Sequence, residues 1–230
     1  MSVHHHVSDE LLLDYANGSL SEGWSIAVAT HLALCPHCRK RLSAMEATAG
    51  AMIESLELEP AQASNADTSW QAMRARLEAD KVGNKGQSVA DKPASAAPNF
   101  AEVPVLPEPL RSYLGKDIDG LKWKPLGRGA YHIKIKTGDA DTSVRLLRIP
   151  AGKPVPEHSH GGRELTLVLK GSFYDGQGRF ARGDLEEADQ DVEHQPIADE
   201  GEDCICLAVT DAPLRFKSRL VRLVQPILGI

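Results

Sequence analysis

The sequence predicts a two-domain α + β protein: a small helical bundle over residues 1–80, a flexible linker over 81–109, and a β-barrel or double-sheet jelly roll over 110–230. Three observations lead there. Apolar residues recur with a helical period as far as Leu77 and with a strand period of two from Tyr131 onward. Between them the chain turns to Gly, Ala, Ser and Pro with few large apolar residues, a composition that cannot bury enough surface to order itself. Each half also carries its own cluster of His, Cys or Glu at the close spacing expected of ligands.

The elements follow in order. Ser8 is placed to cap a helix carrying Leu11, Leu12, Tyr15 and Ala16, which Asn17 and Gly18 end. Ser19, with Glu22 three residues on, reads as a capping box for a second helix bearing Trp24, Val28, His31 and Leu32. Pro36 suits the first turn of a third helix through Leu42, Met45 and Met52. Trp70, Met73 and Leu77 mark a short fourth amphipathic stretch after Ser69. Beyond the linker, Tyr131, Ile133 and Ile135 alternate with His132, Lys134 and Lys136. Runs at 144–149, 165–169 and 205–209 are separated by Gly, Asp and Pro, which suits a small barrel or a jelly roll.

Composition excludes several functions. Apolar residues make up 42% and charged residues 25%, as in an ordinary soluble globular protein. The net charge of -6 disfavours direct, non-specific nucleic-acid binding, which rests on clustered Lys and Arg. No apolar run is long enough to span a bilayer and no secretory signal opens the chain, so a cytoplasmic location is expected. The four cysteines fall as two close pairs, suited to ligands or thiols rather than to a secreted disulfide framework.

The upstream cluster is His31, Cys35 and Cys38. With His31 on the second helix, spacings of four and three put all three side chains near one face at a helix junction. Soft thiolates with imidazole favour zinc, and a structural zinc needs a fourth ligand, available from His4, His5, His6 or His37. His37, lying between the cysteines, should point away. Cys-Pro-His-Cys is also a dithiol redox sequence, but that chemistry needs a βαβ setting, and the segment before Cys35 is helical in pattern.

Downstream, the segment from Gly152 to Gly171 holds His158, His160 and Glu164. Alternate strand residues share a face, so both histidines can point at one ion while Glu164 arrives from the next extended stretch. Three imidazoles, counting His194, and one carboxylate suit zinc, iron, manganese or nickel. Cys204 and Cys206 occupy alternate strand positions, as core residues or as oxidisable thiols near the metal. The many carboxylates between Asp184 and Asp203 read as a solvated acidic edge.

The Gly-x5-His-x-His-x3-Glu-x6-Gly string resembles the first cupin motif at every fixed position. A second motif starting at Gly183-Asp184 puts His194 at its histidine, but Asp189, Asp191 and Ala198 replace the usual Pro, Gly and Asn. His6 followed by His31-x3-Cys35-x2-Cys38 resembles the zinc-binding anti-sigma domain. With stretches such as 29–32, 164–169, 203–207 and 210–216, the whole chain is similar to the ChrR-type anti-sigma factors.

That resemblance implies that His6, His31, Cys35 and Cys38 hold one zinc in a helical bundle that grips an extracytoplasmic-function sigma factor and keeps it from core RNA polymerase, with His5 as the alternative to His6. It also implies zinc, or another divalent transition metal, on His158, His160, Glu164 and His194 of the cupin domain. That domain would sense singlet oxygen or a related oxidant and promote release, through oxidation of Cys35 or Cys38 with zinc loss or through modification near Cys204 and Cys206. On this reading the protein is no enzyme, touches neither nucleic acid nor membrane, and allows a homodimer through its cupin domain. The alternative is a dioxygenase-like cupin metalloenzyme with an N-terminal interaction module.

Overall fold

The computed structural model describes residues 2–57, 66–83, 104–127 and 129–218. Most of the expected 81–109 linker and all residues after 218 lie outside the described residues. The chain separates into two compact units, Met1–Ala47 with Pro104–Ile230 and Thr48–Val103.

Helix α1 (Asp9–Ala16) starts where its cap predicts, with the Ser8 hydroxyl accepting the Leu11 N–H, and ends at Asn17 with Gly18 at φ 74°. The capping box at Ser19 does not form. Its hydroxyl donates to Asp14 at the end of α1, and α2 (Glu22–Leu34) begins directly at Glu22 behind Ser21, which makes no side-chain cap bond. The Glu22 carboxylate serves a longer-range contact, accepting the Gly138 N–H and, at 2.6 Å, the Tyr113 hydroxyl. Pro36 opens α3 (Pro36–Glu54), and α4 spans Ala66–Gly83. After the undescribed stretch, α5 (Glu108–Leu114) leads into the strands.

Twelve strands follow: β1 (Lys124–Gly127), β2 (Ala130–Ile135), β3 (Ser143–Ile149), β4 (His158–Ser159), β5 (Glu164–Lys170), β6 (Ser172–Asp175), β7 (Gly178–Ala181), β8 (Leu185–Ala188), β9 (Glu193–His194), β10 (Ile197–Ala198), β11 (Cys204–Thr210) and β12 (Arg215–Phe216). An antiparallel six-stranded sheet has the order β1-β2-β3-β11-β5-β8, and two three-stranded sheets run β10-β6-β7 and β12-β4-β9. Among the described residues these ladders do not close into a barrel. Of the two architectures the sequence allows, the chain shows packed, open sheets.

The large sheet is buried on both faces, which explains its near-continuous apolar runs. Leu165, Leu167, Ile205, Leu207, Val144 and Leu146 join Val7, Leu11, Ile26, Val28 and Leu110 in one core, so the N-terminal helices and α5 cover the outer face of the sheet. Each leucine so buried contributes roughly 2 kcal/mol. The alternate residues Arg145, Leu147, Glu164, Thr166, Cys206 and Ala208 line an interior cavity of about 1020 Å3. Lys134 also reaches that cavity and His132 bonds to Arg145, so the polar half of the β2 alternation faces inward.

Candidate metal centres

The upstream ligands come from three local structures. His6 precedes α1, His31 sits in the last turn of α2, Cys35 is the C-cap of that helix, and Cys38 lies in the first turn of α3. One ligand atom from each lies within 4.8 Å of all the others. His31 Nε2 is 3.3 Å from Cys38 Sγ, and His6 Nδ1 is 3.3 Å from Cys35 Sγ and 3.6 Å from Cys38 Sγ. His31 and both cysteines are fully buried. Burial pushes the His31 ring down to about 4 and the Cys38 thiol up, so without a cation the cluster is neutral imidazole and thiol.

The structure separates His6 from its neighbours. The His5 ring packs on Phe180 with centroids 4.2 Å apart and lies 3.7 Å from Asp184. His37 is exposed, its ring 4.5 Å from that of His6. His6 is carried inward by a segment pinned to β8. Asp184 Oδ1 accepts the His4 and His5 N–H groups at 2.6 and 2.9 Å, Leu185 N–H donates to the His5 carbonyl, and Glu187 accepts the Ser8 N–H. Gly183, at φ 95°, permits that approach, because a Cβ there would stand 2.7 Å from Val3 Cγ2.

At the second centre, β4 and β9 pair His158 with His194 directly, and His160 follows on the same chain segment. Ring nitrogens of these three histidines lie within 4.8 Å of one another, with His158 Nε2 and His194 Nε2 3.2 Å apart. Glu164 stands beside rather than within this triad, its Oε2 3.7 Å from His160 Nε2 and its Oε1 accepting the Thr166 hydroxyl. All four residues are buried. Neither ring nitrogen of His160 has a hydrogen-bond partner, the state of an imidazole whose lone pair is meant for a cation.

The sequence reading missed two carboxylates here. Asp175 on β6 and Glu186 on β8 lie 2.9 and 3.1 Å from His194 Nδ1, and Asp175 with Glu186 and His194 forms a further ligand-like group. Glu186 is pushed up to about 7 by burial. Burial opposes the charged His194 ring, yet Glu186 and Asp175 outweigh it and lift the ring to about 9. The acid pair holds the proton on Nδ1, which leaves Nε2 aimed at His158. Asp184 and Glu186 are therefore interior groups, 2% and 4% exposed, and the expected solvated acidic edge does not describe them. The signal was the period: Asp184 and Glu186 share one parity on β8, and Leu185 has the other.

Cys204 and Cys206 are buried, unbridged and on the cavity wall. A contact with Cys204, together with burial and the charges of Glu164 and Glu186, pushes the Cys206 thiol well up, so it rests as thiol rather than as the reactive thiolate.

Both donor sets fit a metal: two sulfurs and two imidazoles suit zinc, and a dry histidine triad beside a carboxylate suits a divalent transition ion. When bound, such a cation supplies fixed positive charge that reverses the local preference for neutral ligands.

Comparison with known proteins agrees with this architecture. Residues 113–213 match the family described as the ChrR cupin-like domain. The chain is 45% identical to the anti-sigma-E factor ChrR of Cereibacter sphaeroides over 230 residues, covering 100% of both chains. It is also similar to a crystal structure of Rhodobacter sphaeroides SigE in complex with the anti-sigma ChrR, at 40% identity and TM-score 0.69, covering 91% of this chain and 100% of that one.

Proposed function

Because the chain belongs to the ChrR family of anti-sigma factors, we propose that its N-terminal helices hold zinc and sequester an extracytoplasmic-function sigma factor, while its cupin half senses an oxidative signal. It is a regulator rather than an enzyme, and its place of action is the cytoplasm, where sigma factors work. The division 1–80, 81–109 and 110–230 describes the grip, the tether and the sensor. His6, His31, Cys35 and Cys38 are the zinc ligands; His158, His160 and His194, with Glu164 beside them, hold the second metal. No helix among the described residues is long and apolar enough to cross a membrane.

The observation that supports the grip most directly is apolar surface left open on helices. Met52 and Ile53 of α3 and the following Leu56 are 66, 68 and 63% exposed. On α4, Trp70, Met73 and Leu77 are 58, 54 and 54% exposed and recur at helical spacing, so they form one stripe. Such a stripe with no cover in the free chain suits the apolar surface of a partner. Replacing Trp70 and Leu77 together by alanine should weaken capture of the cognate sigma factor by on the order of 100-fold, as loss of an aromatic anchor does at protein interfaces. Unchanged capture, measured by titration against the purified sigma factor, removes α4 from the interface.

The sensor assignment has its own test. The His158→Ala, His160→Ala double variant should lose one metal equivalent, retain sigma binding and respond less to oxidant. Lost sigma binding with the upstream zinc retained refutes the division of labour.

A further inference from the structure

The interior cavity holds a charged group that metal binding leaves unused. At about 1020 Å3 it matches the upper end of pockets for small organic ligands, roughly 300–1,000 Å3. One part of its wall carries His158, His194, Glu164 and Glu186. Arg145, only 7% exposed, lines the same cavity from β3. Its Nη1 bonds His132 Nδ1 at 2.7 Å and its Nε donates to Ser143 Oγ at 3.3 Å, so the guanidinium is held in place by neutral groups. Burial pulls Arg145 down, and burial together with the Arg145 charge does the same to His132.

The sheet fixes the span. Arg145 pairs with Ala208, Ala208 pairs with Thr166, and the Thr166 hydroxyl bonds Glu164. Two strand spacings, about 10 Å, therefore separate the Arg145 strand from the strand that carries Glu164. Leu147, Ile149, Phe173 and Phe216 make the wall apolar, and the exposed Lys134 and Lys153 stand where the lining meets solvent.

We propose that this cavity binds a medium-chain organic carboxylate, with its head group on Arg145, its chain along the apolar wall and its far end toward His158 and His194. A planar guanidinium matches a carboxylate through two parallel N–H···O bonds. A doubly charged phosphate would need more buried cations than one. The orientation is set by repulsion, since Glu164 and Glu186 disfavour a carboxylate at the histidine end. This deepens the sensing role of the cupin half and rests on that role only for its consequence in sigma release.

The test titrates the full, metal-loaded protein with sodium octanoate and, separately, with 1-octanol as the uncharged match, by calorimetry. Octanoate is expected to saturate one site, with octanol at least about 10-fold weaker. Arg145→Met should bring octanoate down to the octanol level, and Arg145→Lys, which keeps charge without the fork, should retain part of the difference. The proposal is overturned by absence of octanoate binding, by equal binding of the two ligands, or by a folded Arg145→Met protein that binds octanoate undiminished. The comparison of the two ligands on the unaltered protein decides the matter even where a variant does not fold. A protein that sequesters its sigma factor yet ignores octanoate loses only the ligand assignment, and one that binds octanoate but no sigma factor loses only the anti-sigma role.

Discussion

Replacing Cys35 and Cys38 together by serine is expected to remove one metal equivalent and to abolish sigma capture. These sulfurs stand at the junction of α2 and α3, and neither helix has another covalent or metallic restraint there. A structural zinc in a small helical module supplies about 10–16 kcal/mol of apparent binding free energy at neutral pH, far more than the marginal stability of the fold it joins. Burial already pushes Cys38 toward the neutral thiol, so without zinc the cluster keeps its apolar packing but loses the strong link between His6, His31 and the α3 N-terminus. The expected readouts are metal content falling by one equivalent per chain and sigma affinity falling by at least about 100-fold. A double variant that keeps both zinc and sigma binding would end the zinc-scaffold reading. The cupin metal should stay, since none of its ligands comes from this region.

Particular residues show what the sequence could and could not disclose. The ligand types were legible because metals demand local spacing: His31, Cys35 and Cys38 sit on one helix junction, and His158 and His160 on one extended run. The helix starts at Ser8 and Pro36 were legible because caps are local chemistry. Glu22 was misassigned because its carboxylate goes to Gly138 and Tyr113, partners distant in sequence, and no local pattern reports them. The carboxylates of β8 were misassigned for the same reason. A run of acids resembles a solvated edge unless one knows that the strand has a packed helical segment on one side and a histidine triad on the other. Nor could alternation on β2 reveal that Lys134 faces a cavity, because period two states only that the faces differ.

That two-sided strand carries the other large expected effect. Asp184 accepts N–H groups from His4, His5 and Ala181, and is only 2% exposed. Two residues along, Glu186 contacts His194 of the cupin centre, and Glu187 caps the chain at Ser8. The segment that delivers His6 is thus fastened to the strand that positions His194, and a shift of β8 at one centre must be felt at the other. Asp184→Ala strands three buried donors at about 1–3 kcal/mol each, which for a chain of this size lowers Tm by on the order of 10 °C. Burial opposes the Asp184 charge, but the N–H donors hold its carboxyl below the usual range. Because the folded pKa is the depressed one, this stabilisation is complete above the unfolded value of about 3.9 and is lost as pH falls through the folded value. Asp184→Asn, which keeps one acceptor oxygen, should lose less. Amide exchange at His4, His5 and Leu185 should accelerate together in Asp184→Ala, and zinc should pass to a chelator faster as His6 is released. If those amides stay protected in a folded Asp184→Ala protein, β8 does not hold the segment, and the two centres respond independently.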